Sequence, residues 1–302
     1  MNFDIGDVLT QAWQITWKNK SLWWFGIIIA LAISPIFLFI LLPLSIPFLT
    51  ESPAVNLNPS LILWTLIGFM FLLMVFFFVV YILSALINTA VILGIWRAAE
   101  GKERVALLEL LKNSLPFFWR VLGVMFLYTA AIMIVNIGVQ VFATLISIVT
   151  LGLGALCVMP LTLLLYPVMF IASVWLELAI NSIVIDKMAV MEAARNGWRM
   201  IRNNVMAVIL VTIVVYFGIS IFSSFMIVPV MIPFFMIPFA FLGGNPHWII
   251  LAVAIVFGLL SVPVFALITG VVSTFARSVW VLTYRRLSRS AKPNAELQGE
   301  TA

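Results

Sequence analysis

Charge is what this sequence has least of: Asp, Glu, Lys and Arg make up 9% of 302 residues, while hydrophobic types make up 65%. A soluble domain carries roughly a quarter of its residues as charges, so this chain cannot solvate a surface of that kind. Cysteine is almost missing too. Cys157 stands alone, which excludes an internal disulfide and a multi-cysteine metal site. His247 is the single histidine, in the turn-like Gly243-Gly-Asn-Pro-His247, and leaves no histidine cluster for zinc or haem. A glycine-rich phosphate loop ending in Lys, an HExxH pair and an acidic metal cluster are all absent. No metal, no cofactor and no enzymatic activity are expected. Nor is a signal peptide, since Asp4 and Asp7 precede the first cation, Lys18, and the first apolar run is too long for an h-region.

What the chain has instead is long apolar runs, with a mean hydropathy of +1.23. Runs beyond about 18 residues read as transmembrane helices. The expected fold is an all-α polytopic transmembrane bundle of six spans, at about 22–49, 61–96, 117–150, 155–185, 205–242 and 248–284. One membrane domain would cover 1–284, and the polar segment 285–302, which lacks periodicity, would be a disordered tail. Prolines within the first and fifth spans are tolerated where neighbouring helices satisfy the freed carbonyls. The run 61–96 exceeds 50 Å at about 1.5 Å per residue, against a hydrocarbon core of about 30 Å. Because Arg97, Glu100, Lys102, Glu103 and Arg104 follow it, continuation beyond the membrane is expected. Pro116 lacks the amide donor a helix interior needs, which predicts a break before the third span.

Three short charged segments precede the outgoing spans. Asp7-Val-Leu-Thr-Gln-Ala-Trp13, Glu109-Leu-Leu-Lys-Asn-Ser-Leu115 and Glu192-Ala-Ala-Arg-Asn-Gly-Trp198 share one order: acid, two apolar residues, a variable residue, an amide (Gln11, Asn113, Asn196), a small residue, then Trp or Leu. Each reads as an amphipathic helix lying in the interface, with Trp13, Trp17, Trp23 and Trp24 at the level of the aromatic belt. The recurrence predicts three parallel units over about 4–101, 102–186 and 187–284, each an amphipathic helix followed by a transmembrane hairpin.

Few polar residues fall inside the spans. Asn88, Glu177 and Arg277 each lie nine residues before a charged residue that ends a returning span: Arg97, Asp186 and Arg286. An ionised side chain at the bilayer centre costs about 2.5–3.5 kcal/mol, so it pairs, faces a cavity or sits near the interface. One expectation is therefore that Glu177 and Arg277 approach each other with Asn88 nearby. The other is that both charges lie at headgroup depth. Asn136 and Gln140, one helical turn apart, either line a polar path or hydrogen-bond between helices.

Two resemblances arise at the charged segments. Gly101-Lys-Glu-Arg leading into Leu107-Leu-Glu-Leu-Leu-Lys-Asn-Ser-Leu-Pro-Phe-Phe-Trp-Arg120, together with Glu192-Ala-Ala-Arg-Asn-Gly-Trp-Arg-Met-Ile-Arg-Asn-Asn204, resembles the six-span membrane domain of some bacterial glycerophosphodiester phosphodiesterases. That resemblance implies a prokaryotic plasma-membrane protein of unassigned role. It does not imply phosphodiesterase activity, which in that family belongs to a separate soluble domain. Glu192-Ala-Ala-Arg-Asn-Gly197 also looks like the start of the coupling motif of binding-protein-dependent permeases. Gly197 comes one residue early for that motif, and the later Ile-x-Leu-Pro is missing.

The function these features favour is a non-enzymatic membrane module that meets lipids, chiefly anionic headgroups on a basic cytoplasmic face, or a protein partner. Nucleic acid is not an expected partner. The alternatives are a transporter or channel using the polar residues, and a permease-like subunit of an ATP-driven transporter.

Sidedness follows from the cations. All sixteen Lys and Arg fall before the first span, between Arg97 and Arg120, between Lys187 and Arg202, or from Arg277 onward. The three intervening loops hold none, so the positive-inside rule puts both termini in the cytoplasm. A topology reporter fused after Ser52 or Gly244 is expected to behave as external; cytoplasmic behaviour at either position would overturn this arrangement.

Overall fold

The computed structural model describes residues 4–34, 59–101, 106–152, 154–240 and 247–299. Among the described residues all regular structure is helical. In chain order the helices are α1 (Ile5–Lys18), α2 (Trp23–Ile33, after one 3-10 turn), α3 (Pro59–Ala99), α4 (Leu107–Val149), α5 (Gly154–Ile185), α6 (Val190–Asn203), α7 (Val205–Ala240) and α8 (Trp248–Gly299). The apolar stretches of α3, α4, α5 and α8 are long enough to cross a membrane, and α6 with α7 makes a fifth if the bent pair is one span. The sequence predicted six. The remaining one, 22–49, is described only to Ser34, and its continuation with the 50–58 connection lies outside the described residues, as does the 243–246 turn.

The first amphipathic segment folds as its pattern dictates. Asp4 caps α1 by accepting the Asp7 amide at 3.2 Å, and Val8, Ala12 and Thr16, four residues apart, form its buried stripe. The Trp23 indole then donates to the Thr16 carbonyl at 2.9 Å and fixes the corner into α2. The third segment, α6, meets α7 at 97°, with the Asn204 amide side chain donating to the Met200 carbonyl at 3.3 Å in the corner. The second segment differs. Residues expected to break at Pro116 form one 43-residue helix, α4, with Pro116 inside it. Both Pro116 and Lys112, whose carbonyl loses its partner, are exposed, so that carbonyl is not stranded in the core. Leu110 and Ser114 before the proline and Val121 and Val124 after it are all buried, which holds the two parts in line.

α3, at 41 residues, is about 60 Å long, roughly twice a hydrocarbon core of about 30 Å. A polar tail is expected from residue 285 onward. α8 is helical to Gly299, and its turn just past Tyr284 is packed: Leu287 is buried, Arg285 donates to the Ala99 carbonyl at 3.1 Å, and Arg286 donates to the Asp4 carbonyl at 3.0 Å. These contacts anchor the first turn beyond Tyr284.

Packing is concentrated at the end of the bundle where the cations lie. Residues 178–184 of α5 and 278–284 of α8 are buried without interruption, and 89–95 of α3 are buried except for half-buried Leu93. A helix in contact on one face shows burial every three or four residues. Seven in succession means neighbours all round. α3, α5 and α8 touch one another here, while α4 lies against α3 and α5, α6 against α5, and α2 and α7 against α8. Towards the other end the helices present mostly apolar side chains outward, Met70, Ile134 and Leu259 among them, as a hydrocarbon solvent requires.

The tightest crossing joins α2 to α8. A methyl group on Gly26 would stand 2.7 Å from the Gly270 α-carbon, and one on Gly270 would stand 2.7 Å from the Trp23 carbonyl oxygen. Thr274 donates across the same crossing to the Leu22 carbonyl at 3.3 Å. Gly270→Val is expected to destabilise the purified protein by at least about 1–3 kcal/mol through overpacking. Gly68→Ala, where nothing lies within 4 Å, should leave the thermal midpoint in detergent unchanged or slightly higher. Equal midpoints for the two variants would refute the close crossing.

Candidate functional site

Glu177 and Arg277 stand immediately before the buried runs of α5 and α8. The structure brings Glu177 Oε2 and Arg277 Nη1 to 4.0 Å, with side chains 21% and 20% exposed. Arg277 Nη1 is buried and has no hydrogen-bond partner, so the contact is Coulombic rather than a formed hydrogen bond. More polar groups gather around the pair. The Tyr128 and Ser173 hydroxyls are 3.2 Å apart, and Tyr216 lies beside Ser173 and near Glu177 and Arg277. Four helices, α4, α5, α7 and α8, thus contribute to one polar group between apolar walls.

Asn88 is not hydrogen-bonded into that group. Its amide points to the Met125 sulfur of α4 at 4.0 Å, and its Oδ1 is buried without a partner. Asn136 and Gln140 lie apart again. Both are exposed; Asn136 donates to its own helix at the Ile132 carbonyl, 2.9 Å away, and the Gln140 backbone carbonyl accepts from Thr144 at 2.8 Å. Neither residue makes a hydrogen bond between helices among the described residues, since this stretch of α4 is exposed over most of its circumference.

The three charged segments, in contrast, share their burial at three positions. The position after the acid is buried in each (Val8, Leu110, Ala193), and so is the small residue (Ala12, Ser114, Gly197). The next residue is half in the open each time: Trp13 54%, Leu115 56% and Trp198 56% exposed. Small size at Gly197 serves contact with α5, because a methyl group there would stand 3.3 Å from the Trp175 carbonyl oxygen and from the Ala179 nitrogen. The Trp175 indole in turn donates to the Ala194 carbonyl at 2.8 Å.

Their acids differ in partner. Glu109 binds Arg97 at 3.1 Å and accepts from Asn113 at 3.4 Å, and Asp7 binds Arg286. Asp186 occupies the register of Arg97 and Arg286 but is itself an acid, so it offers Glu192 no cation. It accepts from the Tyr284 hydroxyl instead, while Asn196 donates to Ser182 nearby at 3.1 Å.

Sequence reasoning passed over several of these residues. Asn181 is fully buried with neither end of its amide bonded, and its only signal was its place one turn after Glu177. Tyr128, Ser173, Tyr216 and Tyr284 sit in runs that read as apolar. A groove of about 520 Å³ between α5 and α7 was equally hidden. Pro167, Phe170 and Val174 form one wall, Ile209, Ile213 and Tyr216 the other, and Ile201 of α6 closes the basic end.

No family model, no curated protein and no solved structure matches this chain, so none of them identifies the phosphodiesterase-type membrane domain its motifs resemble. The fold itself defines the class: a helical, multi-pass, membrane-embedded protein.

Removing the Glu177 charge leaves Arg277 half-buried and unpaired. Glu177→Gln is expected to cost about 2 kcal/mol, between the ~0–1 of exposed pairs and the ~3–5 of fully buried ones. The exchanged pair Glu177→Arg with Arg277→Glu should recover most of the loss that either reversal alone causes, measured by unfolding in mixed micelles. No recovery would remove the pair from the account.

Proposed function

We propose that the chain is a non-enzymatic membrane module that holds an anionic phospholipid of the cytoplasmic leaflet, with an acyl chain in the α5–α7 groove and the headgroup against α6. The observation that carries this reading is the continuity of an apolar groove with a basic helix. Ile201 lines the groove at its α6 end, and the adjoining Arg202 is exposed. The groove runs from Val205 to Ser220 along α7, about 22 Å at 1.5 Å per residue, somewhat more than one leaflet of a core about 30 Å thick. Each well-placed cation adds roughly 1 kcal/mol of attraction for an anionic headgroup.

The architecture that goes with this function is six spans with both termini cytoplasmic, built as three units arranged in a ring. The matching burial of the three charged segments supports it. So do the ionic ties: Arg97 to Glu109 would join the first unit to the second, and Arg286 to Asp7 the third back to the first. Transport is the second reading, favoured by the polar group of Glu177, Arg277 and Tyr216 at the side of the groove. A permease-like role has less support, since Gly197 is turned inward on α5 rather than towards a partner.

Native mass spectrometry of the purified chain tests the lipid reading. With phosphatidylglycerol and phosphatidylcholine in competition, the wild type should retain the anionic lipid. Arg202→Gln should reduce that preference by about 5-fold, and Ile209→Trp should reduce retention of both lipids by filling the groove. Equal retention of the two lipids by wild type, or no effect of Ile209→Trp, would contradict the proposal.

A further inference from the structure

A second cavity, of about 450 Å³, lies at the basic end where α1, the last turn of α3 and α8 converge. It is separate from the α5–α7 groove and shares no residue with it. Its wall carries Lys18, Arg285 and Arg286 with the amides of Gln14 and Asn19, and no carboxylate. We infer that this cavity binds a phosphate monoester, either on a lipid headgroup or on a soluble molecule.

The chemistry of the wall selects that ligand. Arg285 is held in place before any ligand arrives: Nη1 donates to the Ala99 carbonyl at 3.1 Å, and the guanidinium lies 5.5 Å from the centre of the Trp96 ring. Its Nε is buried with no hydrogen-bond partner. A guanidinium fixed in this way loses little freedom on meeting a phosphate, whose oxygens match its planar fork. Arg286 is steadied by the Asp4 carbonyl and by the Asp7 carboxylate, which also accepts from Gln11. Asp7 can offset one of the three cations, and Glu100, one residue beyond Ala99, lies in the neighbourhood but not on the wall. Lys18 is exposed and has no carboxylate partner among the described residues. A dianion answers this surplus of positive charge better than a carboxylate or a zwitterion does, and the volume falls within the range of small-molecule sites, about 300–1,000 Å³.

The test uses the full chain in neutral detergent, with two kinds of probe. Glycerol 3-phosphate and inorganic phosphate are titrated by calorimetry. Phosphatidic acid is titrated in mixed micelles against phosphatidylcholine. Lys18→Glu and Gln14→Glu serve as variants, because both positions are exposed and neither side chain makes a structural contact in the fold described above; Arg285→Lys keeps the charge and loses the fork. Each probe is titrated against the Ile209→Trp chain, whose groove is filled; binding there that both glutamate variants and Arg285→Lys weaken at least tenfold supports the site. A soluble-probe response assigns it to free phosphate esters, and a response to phosphatidic acid alone assigns it to headgroups. Binding in that background that survives Lys18→Glu and Gln14→Glu would overturn the inference while leaving the groove proposal standing. So would the absence of binding in both arms.

Discussion

Enclosure of three helices at one end of the bundle is the constraint on which the rest depends. In hydrocarbon, apolar side chains gain nothing by leaving lipid for protein, so helices associate through close contact, small residues and hydrogen bonds. Where α3, α5 and α8 meet, three hydroxyls turn back on their own helices, while the Asn181 amide and the Thr283 hydroxyl stay unbonded. Thr89 donates to the Ala85 carbonyl at 2.9 Å, Ser182 to Leu178 at 2.9 Å and Ser278 to Thr274 at 2.8 Å. These hydroxyls therefore remain compact and satisfied, and the backbones can come together. Gly26 against Gly270 does the same for α2.

That dense end dictates where charge can go. Glu177 and Arg277 sit at the inner edge of the enclosed zone, and the ion pairs Arg97–Glu109 and Arg286–Asp7 lie beyond it at helix ends. Arg97–Glu109 ties the consecutive helices α3 and α4, whereas Arg286–Asp7 ties α8 back to α1. Between the ties the helices leave gaps of two kinds. One is the apolar groove beside α7, suited to an acyl chain. The other is the cationic cavity beside α1, suited to a phosphate. Each has the chemistry of the surface that surrounds it.

Hydropathy made the helices legible. The long run through α3 and the corner before α7 both follow from residue order. The stripe of Val8, Ala12 and Thr16 follows from periodicity. Pro116 was misleading because a proline rule counts the lost hydrogen bond but not the exposure of the carbonyl that loses it. Leu287 was too isolated an apolar residue to show that α8 runs on past Tyr284. The polar residues divide by a simple criterion. Glu177 and Arg277 are in register on two helices that pack together; Asn88 is in the same register but turns to Met125, and Asn136 and Gln140 face outward. Sequence could not show the groove or the cavity, since each is a space between segments widely separated in the chain, residues 167–174 and 201–220 for one and 11–19, 98–99 and 282–286 for the other.

The enclosed zone can be examined directly by thiol accessibility. With Cys157 replaced by Ser, single cysteines placed in turn from Leu178 to Val184 would be treated with a small membrane-permeant maleimide. Cysteines at Leu108 and Met191, both exposed at the cation-bearing end, would serve as the reactive reference. Seven consecutive protected positions are predicted. Labelling that recurs every three or four residues would mean that α5 has one free face, and the account of a helix surrounded on all sides would be wrong.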